Sequence, residues 1–262
     1  MRKIFIPFLA SFLIASCEDT DIQVEEIPAA ADLSSVLPTK FTKTDNGQTD
    51  VTVYTYEGTK LTKEETAGTN RSIVYTYNGD LISKTDEYSG TSLTLRREFT
   101  YEDGKMTAEK ITNYQTSTAS TTTYEYLSDN HVKFTRLGGL YDVYLSNNGN
   151  VKVATLVKGA IARTYNNNFD GQNNPYKNIK GYLKINAFLS LEGDLSSNNK
   201  TNGNSSQTGT VSGNYTFSTV NTYNDYNFIT KMVKTEVKTL SSTTPPNTPA
   251  TSTSTYTYEY KQ

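Results

Sequence analysis

An aromatic pair that returns along the first half of this chain constrains its fold more than any other feature. Tyr54-Thr55-Tyr56-Glu57-Gly58 is followed by Leu61, and Tyr75-Thr76-Tyr77-Asn78-Gly79-Asp80 by Leu81. Phe99-Thr100-Tyr101-Glu102-Asp103-Gly104 is followed by Met106, and Tyr124-Glu125-Tyr126 by the run 127–132. The second aromatics stand at 56, 77, 101 and 126, so the spacings are 21, 24 and 25 residues. That length holds one hairpin and its connection, and is too short for a βαβ unit of about 30 or more residues. Aromatic-x-aromatic is the two-residue period of a strand, and Thr and Tyr suit a pleated, half-buried surface. The expected fold is all-β, an antiparallel meander of hairpin repeats forming one curved or partly rolled sheet. Only 35% of residues are hydrophobic even with every Tyr counted, which favours an open, wet architecture over a two-layer globule.

Turn chemistry agrees with hairpins. Asn78-Gly79 suits the positive φ angles of a two-residue type I′ turn, and Asp103-Gly104 offers the same. With Asn78-Gly79 as the loop, Tyr77 faces Asp80, Tyr75 faces Ile82 and Thr76 lies opposite Leu81. Polar stretches at 67–70, 88–91 and 116–120 are the expected turns at the other edge. Strand character resumes at 141–145, 151–157 and 160–165. A loop is expected at 169–179, marked by Asp170-Gly171 and Asn174-Pro175, then a short helix within 182–191. Residues 193–213 are Ser, Asn, Gly, Thr and Lys with little to bury, and are expected as a mobile loop. The last strands fall at 215–220, 228–240 and 253–260, where Tyr256-Thr257-Tyr258-Glu259-Tyr260 repeats the opening pattern.

At the N-terminus, Arg2 and Lys3 precede an apolar run at 4–15. Such a run is too short to cross a hydrocarbon core of about 30 Å at about 1.5 Å per residue, and has the layout of a secretory leader. Its end, Ile14-Ala15-Ser16-Cys17, resembles the lipobox of bacterial lipoproteins, in which the peptide is cut before the Cys and that Cys is acylated. The resemblance implies a signal peptide at 1–16, lipidation at Cys17 and a protein anchored to the membrane by its lipid. Two or more acyl chains, at about 0.8 kcal/mol per buried methylene, hold such an anchor stably. Cys17 is the single cysteine, so an intramolecular disulfide is excluded.

Residues 17–40 read as an acidic tether, with Glu18-Asp19-Thr20-Asp21, Glu25 and Glu26 ahead of a Pro- and Ala-bearing stretch. The acidic run is that of any solvated linker; it also resembles the signal that follows the lipidated Cys in surface lipoproteins of the Bacteroidetes. The implied address is the outer membrane, with exposure at the cell surface as the finer expectation. Residues 41–262 form the β-repeat domain. Without residues 1–16 the chain carries 23 basic and 27 acidic residues. Nucleic acid is thereby excluded as a partner, since it demands a clustered cationic face.

Few groups are available for catalysis. His131 is the only His, at a strand start, where it reads as a turn or edge residue and not as part of a triad or a metal cluster. Glycines stand singly at turns, with none in a phosphate-binding pattern. The carboxylate neighbours Glu64-Glu65, Asp86-Glu87 and Glu102-Asp103 point to opposite faces of a strand and read as solvated edge charges that discourage sheet pairing. The 169–174 loop offers oxygens for calcium but lacks the carboxylate density of a dedicated site; no metal and no cofactor is assigned. Tyr54, Tyr56, Tyr75, Tyr77, Tyr101, Tyr124 and Tyr126 are the candidate ligand face, because rows of rings stack on sugars. The stronger expectation for them is amphipathic core, with the ring packed and the hydroxyl wet.

The Tyr-x-Tyr-x-x-Gly units resemble the tyrosine-rich hairpin repeats of the RHS/YD class, and the layout is similar to Bacteroidetes outer-membrane lipoproteins of unknown function. Asn174-Pro175-Tyr176-Lys177-Asn178-Ile179 is similar to a loop in those lipoproteins. The resemblance spans 50–262 in general shape; Leu-Ser-Asn replaces the turn Gly after Tyr126, so the repeat is irregular beyond 132. It implies a fold and an address and no chemistry. The expected function is a non-enzymatic, lipid-anchored cell-envelope protein, a binding or scaffold module for an unidentified envelope protein or glycan. The alternatives are a surface glycan-binding or glycan-cleaving lipoprotein and a lipid-carrying half-barrel.

Overall fold

The structure, a computed structural model, describes residues 33–186, 196–209, 212–241 and 249–261. Cys17, the signal peptide and most of the acidic tether therefore lie outside the described residues. A 3-10 turn at Leu33–Ser35 leads into β1 (Leu37–Asp45), β2 (Gln48–Glu57), β3 (Lys60–Thr66), β4 (Arg71–Asn78), β5 (Leu81–Ser89), β6 (Ser92–Glu102), β7 (Lys105–Asn113) and β8 (Thr118–Ser128). Then follow β9 (His131–Arg136), β10 (Gly139–Leu145), β11 (Val151–Lys158), β12 (Ile161–Asn173), the helix α1 (Tyr182–Asn186), β13 (Asn198–Thr208), β14 (Ser212–Tyr223), β15 (Ile229–Ser241) and β16 (Ala250–Lys261).

Every strand pairs antiparallel with its sequence neighbours, and β16 closes on β1, so the meander is a barrel of sixteen strands and not a partly rolled sheet. At the seam Phe41 faces Tyr258 and Thr44 faces Thr255. Lys40 Nζ lies 2.8 Å from Glu259 Oε1 across the same seam. Closure removes the free edges that a rolled sheet would expose. The segment 193–213, expected as a mobile loop, holds β13 over Asn198–Thr208 and the start of β14. Low hydrophobicity misled there because Asn side chains pair across the outer wall, Asn166 with Asn204 at 3.0 Å and Asn168 with Asn202 at 2.7 Å. The predicted short helix is present as the five residues of α1.

The repeat has a shared bond pattern. Tyr56 opposes Leu61, Tyr77 opposes Ile82 and Tyr101 opposes Met106, with a register shift beside each pair. The extra residue of each bulge donates its hydroxyl to the carbonyl of the Thr between the aromatics: Thr62 to Thr55, Ser83 to Thr76 and Thr107 to Thr100. Bulges add local twist, which helps curl the sheet toward closure. The position of the turn corrects the expected register: in the β4–β5 hairpin Asn78 pairs with Leu81, so the loop is Gly79-Asp80, and Tyr77, not Tyr75, faces Ile82. Gly79 has φ +60° while Asp80 does not turn positive, the pattern of a type II′ turn with Gly first. At Asp103-Gly104 both residues are positive, as a type I′ turn requires.

The second Tyr of each unit ties it to the hairpin before. Tyr56 donates to Pro38 O at 2.6 Å, Tyr101 to Ile82 O at 2.8 Å and Tyr126 to Met106 O at 3.1 Å, while Tyr77 accepts from Leu61 N–H at 3.1 Å. A Tyr101→Phe substitution should cost about 1 kcal/mol, the net worth of one such bond. Urea denaturation of the two proteins measures it, and equal midpoints would remove the staple from the account.

Candidate functional site

Alternation decides which side of the wall is which. Tyr54, Leu61, Tyr75, Ile82, Phe99, Met106, Tyr124 and Val132 are buried inside the barrel and form one cluster with Tyr176, Ile179, Tyr182 and Ile185. The last four belong to a plug, residues 174–186, that leaves the wall after β12. Its contacts run along one mouth. Asn178 Nδ2 donates to Val36 O at 2.9 Å, Lys180 N to Thr59 O at 3.2 Å, and Lys184 Nζ to Gly104 O at 2.7 Å. Lys180 Nζ also pairs with Asp80 at 3.0 Å. The plug thus crosses the Gly58-Thr59, Gly79-Asp80 and Asp103-Gly104 turns. Gly181 permits the approach: at φ +70°, a Cβ there would meet Ile82 N at 2.9 Å and Asp80 O at 3.0 Å.

The outer wall is polar. Thr42, Thr44, Thr251, Thr253, Thr255 and Thr257 share the outer face of β1 and β16. Charged groups recur on the same face elsewhere, with Lys84 3.1 Å and Arg96 2.6 Å from Asp86, Lys110 3.5 Å from Glu98, and Lys133 3.4 Å from Asp142. Of the exposed apolar residues, Val53 lies between Lys40 and Glu65 and Val74 between Lys63 and Asp86, while Val220 opposes Val233. Leu140 and Val157 oppose each other, but Asp142 and Thr155 follow on the same face.

The lumen carries charges that hydropathy did not disclose. Glu109, fully buried, lies 2.6 Å from Arg97 Nη1 and 2.9 Å from Arg136 Nη2, and accepts from the Tyr124 hydroxyl at 3.2 Å. Glu64 points inward as well and accepts from Tyr75 at 2.8 Å and from the plug's Tyr182 at 3.0 Å. Glu64 corrects the expectation that its carboxylate pair is a solvated edge charge, and Glu109 was not among the carboxylates that the sequence singled out. They stand four strands apart on the wall, roughly 19 Å along it at about 4.8 Å per strand, too far for the two acids of glycoside hydrolysis.

Enclosure by protein raises the Glu64 carboxyl above its ordinary value, against the lowering effect of its two tyrosine bonds and of Arg71. A raised folded pKa means that the native state holds the proton more tightly than the unfolded chain. Stability from Glu64 is therefore fully present below the unfolded carboxyl range and lost as pH rises through the folded value. Relative to Glu64→Gln, the wild-type melting temperature should fall as pH is taken upward from the unfolded glutamate value; parallel melting curves across that range would contradict the burial of this charge.

All seven candidate tyrosines face this interior. Tyr54, Tyr75 and Tyr124 are buried, and their hydroxyls bond Tyr176, Glu64 and Glu109. Tyr56, Tyr77, Tyr101 and Tyr126 pack beside them, and burial holds the hydroxyls of Tyr77 and Tyr126 up at about 12. His131 sits on the outer wall, 2.6 Å from Asp142 Oδ1 and stacked on Tyr144 at 4.2 Å. At 169–174, expected as a loop but mostly the end of β12, Asp170 Oδ1 accepts from Gln172 N and Asn199 N, and Oδ2 from Tyr223, so its oxygens already serve the chain. Among the described residues no group of three or more His, Cys, Asp or Glu could hold a metal ion.

Open space lies in the other half of the lumen. One cavity of about 350 Å³ is lined by Arg163, Gln207, Tyr215, Glu236 and Lys238. A second, of about 290 Å³, lies between the plug and the wall, against Phe41, Tyr176, Lys200, Lys234, Tyr256 and Tyr258. The sequence signal for it existed in the Tyr256-Thr257-Tyr258 pair, which repeats the opening pattern; the two lysines had none.

A closed antiparallel barrel with a polar outer wall, an aromatic and charged lumen and a plug across one mouth is the class of protein that these features define. No family model matches the sequence, and no curated protein matches it. The RHS/YD resemblance thus has no counterpart in these comparisons. Among solved structures the fold is similar to that of a porin-like protein from Bacteroides uniformis, with a TM-score of 0.54 and 11% identity over 86% of this chain and 98% of that one. At such identity the likeness is one of fold.

Proposed function

We propose that this chain is a non-enzymatic outer-membrane lipoprotein whose barrel stands in water and holds a small ligand in its lumen. The polar outer wall carries the proposal. A membrane-spanning barrel needs an outward apolar band about 25 Å tall, and each outward Lys or Arg near the bilayer midplane costs about 2–4 kcal/mol. Here Lys40, Lys84, Arg96, Lys110 and Lys133 face outward in pairs with carboxylates. The plug argues in the same direction, since it packs inside the barrel against the β2–β7 turns and narrows the path that a channel would use. Attachment then falls to the lipid on Cys17, and the shared fold with a porin-like protein concerns the barrel and not its solvent. The closed barrel, packed in one half with Tyr and the plug, argues against a lipid-carrying half-barrel.

Replacing Cys17 with Ser in the full chain tests the proposal. Wild type should sediment with outer membranes, whereas Cys17→Ser should appear in the soluble fraction with its β circular dichroism and cooperative melting intact. Retention of Cys17→Ser in membranes after alkaline carbonate washing, with release only by detergent, would show an embedded barrel and end the proposal. Protease treatment of intact cells then separates surface exposure from a periplasmic address.

A further inference from the structure

Two buried amides in the cavity between the plug and the wall each keep one polar atom unpaired. Asn174 is 3% exposed, and its Oδ1 accepts from Tyr176 N at 3.0 Å. That bond fixes the orientation of the amide and leaves Nδ2 a donor with no partner among the described residues. Asn199, 5% exposed, has the reverse arrangement: Nδ2 donates to Asn173 O at 3.0 Å, which leaves Oδ1 an acceptor with no partner among the described residues. Both residues line the cavity, one from the plug and one from β13. Buried polar groups are almost always satisfied, so a donor and an acceptor left in one cavity call for a ligand that supplies both complements.

The rest of the lining is apolar and aromatic. Phe41 stacks on Tyr256 at 6.1 Å and 22° and tilts against Tyr258 at 5.2 Å, and Tyr176 of the plug meets Tyr258 edge-on at 6.2 Å. Pro175, Ile229 and Met232 add aliphatic surface. Lys200 and Lys234 contribute their stems. Their ammonium groups lie 4.4 Å and 5.2 Å from the ring centre of Phe217, which does not line the cavity, and Lys234 is paired with Glu236 at 2.5 Å. Among the described residues no Asp or Glu lines the space. With its charges directed elsewhere, the cavity suits a neutral ligand, and its volume of about 290 Å³ admits one ring with its substituents.

We propose that this cavity binds one neutral pyranose unit, the C–H face of the ring against Phe41, Tyr256 and Tyr258 and its hydroxyls on Asn174 Nδ2 and Asn199 Oδ1. A pyranose meets each demand of the lining: it is uncharged, it carries a C–H face that lies on an aromatic ring, and its hydroxyls both donate and accept. The inference deepens the ligand-holding function proposed above and rests on it. Full-length protein in a sugar-free detergent is titrated calorimetrically with methyl β-glucoside, methyl β-galactoside and methyl α-mannoside. Three comparison ligands each lack one feature: glucuronate is charged, cyclohexanol has no adjacent hydroxyls, and uracil is a planar neutral ring with a donor and an acceptor on its edge.

The expected result is binding of at least one glycoside, with all three comparison ligands at least tenfold weaker. Asn174→Asp keeps the acceptor for Tyr176 N and removes the donor, and Tyr256→Val removes a ring from the wall. Each should weaken the bound glycoside at least tenfold with circular dichroism unchanged. Binding of no glycoside, a comparison ligand bound as tightly as the best glycoside, or wild-type affinity in either variant overturns the proposal. Should a variant fail to fold, the comparison of ligands on the wild type decides alone. Uracil bound without any glycoside would end this inference and leave the ligand-holding function standing. Cys17 and fractionation do not enter these outcomes, so the anchor and the ligand site fail separately.

Discussion

Glu109→Leu is expected to destabilise the barrel by about 3–5 kcal/mol, because it strips the shared carboxylate from two guanidinium groups inside the lumen. Arg97 and Arg136 reach Glu109 at 2.6 Å and 2.9 Å, and Glu109 is 0% exposed. The Arg side chains retain 28% and 14% exposure toward lumen water, which places the expected cost near the lower end of that range. Breaking a buried ion cluster costs more than replacing it whole. The triple variant Arg97→Met/Glu109→Leu/Arg136→Met should therefore recover most of the loss. Guanidinium denaturation of the three proteins measures both effects. A single variant within 1 kcal/mol of wild type, or a triple variant worse than the single, would remove the cluster from the list of what holds the wall to its shape.

The second large effect concerns the aliphatic residue that opens the return strand of each hairpin. Leu61 and Ile82 are fully buried and Met106 is 2% exposed, each opposite the second Tyr of its unit. Truncation to Ala at any of the three should cost about 2–5 kcal/mol, the transfer term plus the cavity left where the plug packs against the wall. Thr55→Ala and Thr76→Ala, on the outer face of the same hairpins, should stay within about 0.5 kcal/mol. Ile82→Ala should also speed amide exchange in the plug, since Gly181 packs directly on the Ile82 backbone. Equal costs for the inner and outer positions would mean that the two faces have been assigned the wrong way round.

Much of the wall was legible because its signals are local. Tyr54-Thr55-Tyr56 and its relatives announce strands by period, and Asp103-Gly104 announces a type I′ turn by its tolerance of positive φ. Register in the β4–β5 hairpin was misjudged because the two-residue loop is Gly79-Asp80 and not Asn78-Gly79, and the bulge at Ser83, held by its bond to Thr76 O, then shifts the pairing by one more residue. β13 was missed because its Asn and Ser residues gain by pairing across strands and against the polar stems of the plug, not by burying apolar area. The candidate tyrosines were expected as core with the ring packed and the hydroxyl wet; their hydroxyls instead bond protein groups such as Tyr176, Pro38 O, Glu64 and Ile82 O, because the plug and the neighbouring hairpins close over them.

The strands of the repeat at 54–126, their hairpin connectivity and their two-sided character were set by the sequence alone, since each depends on residues a few positions apart. Closure, the choice of the aromatic side as the inside, and the meeting of Arg97, Glu109 and Arg136 were decided only by the tertiary structure. The seam joins Lys40 to Glu259 across 219 residues. An alternating strand names two faces without naming the concave one; curvature, plug and register together do that, and they are properties of the whole wall.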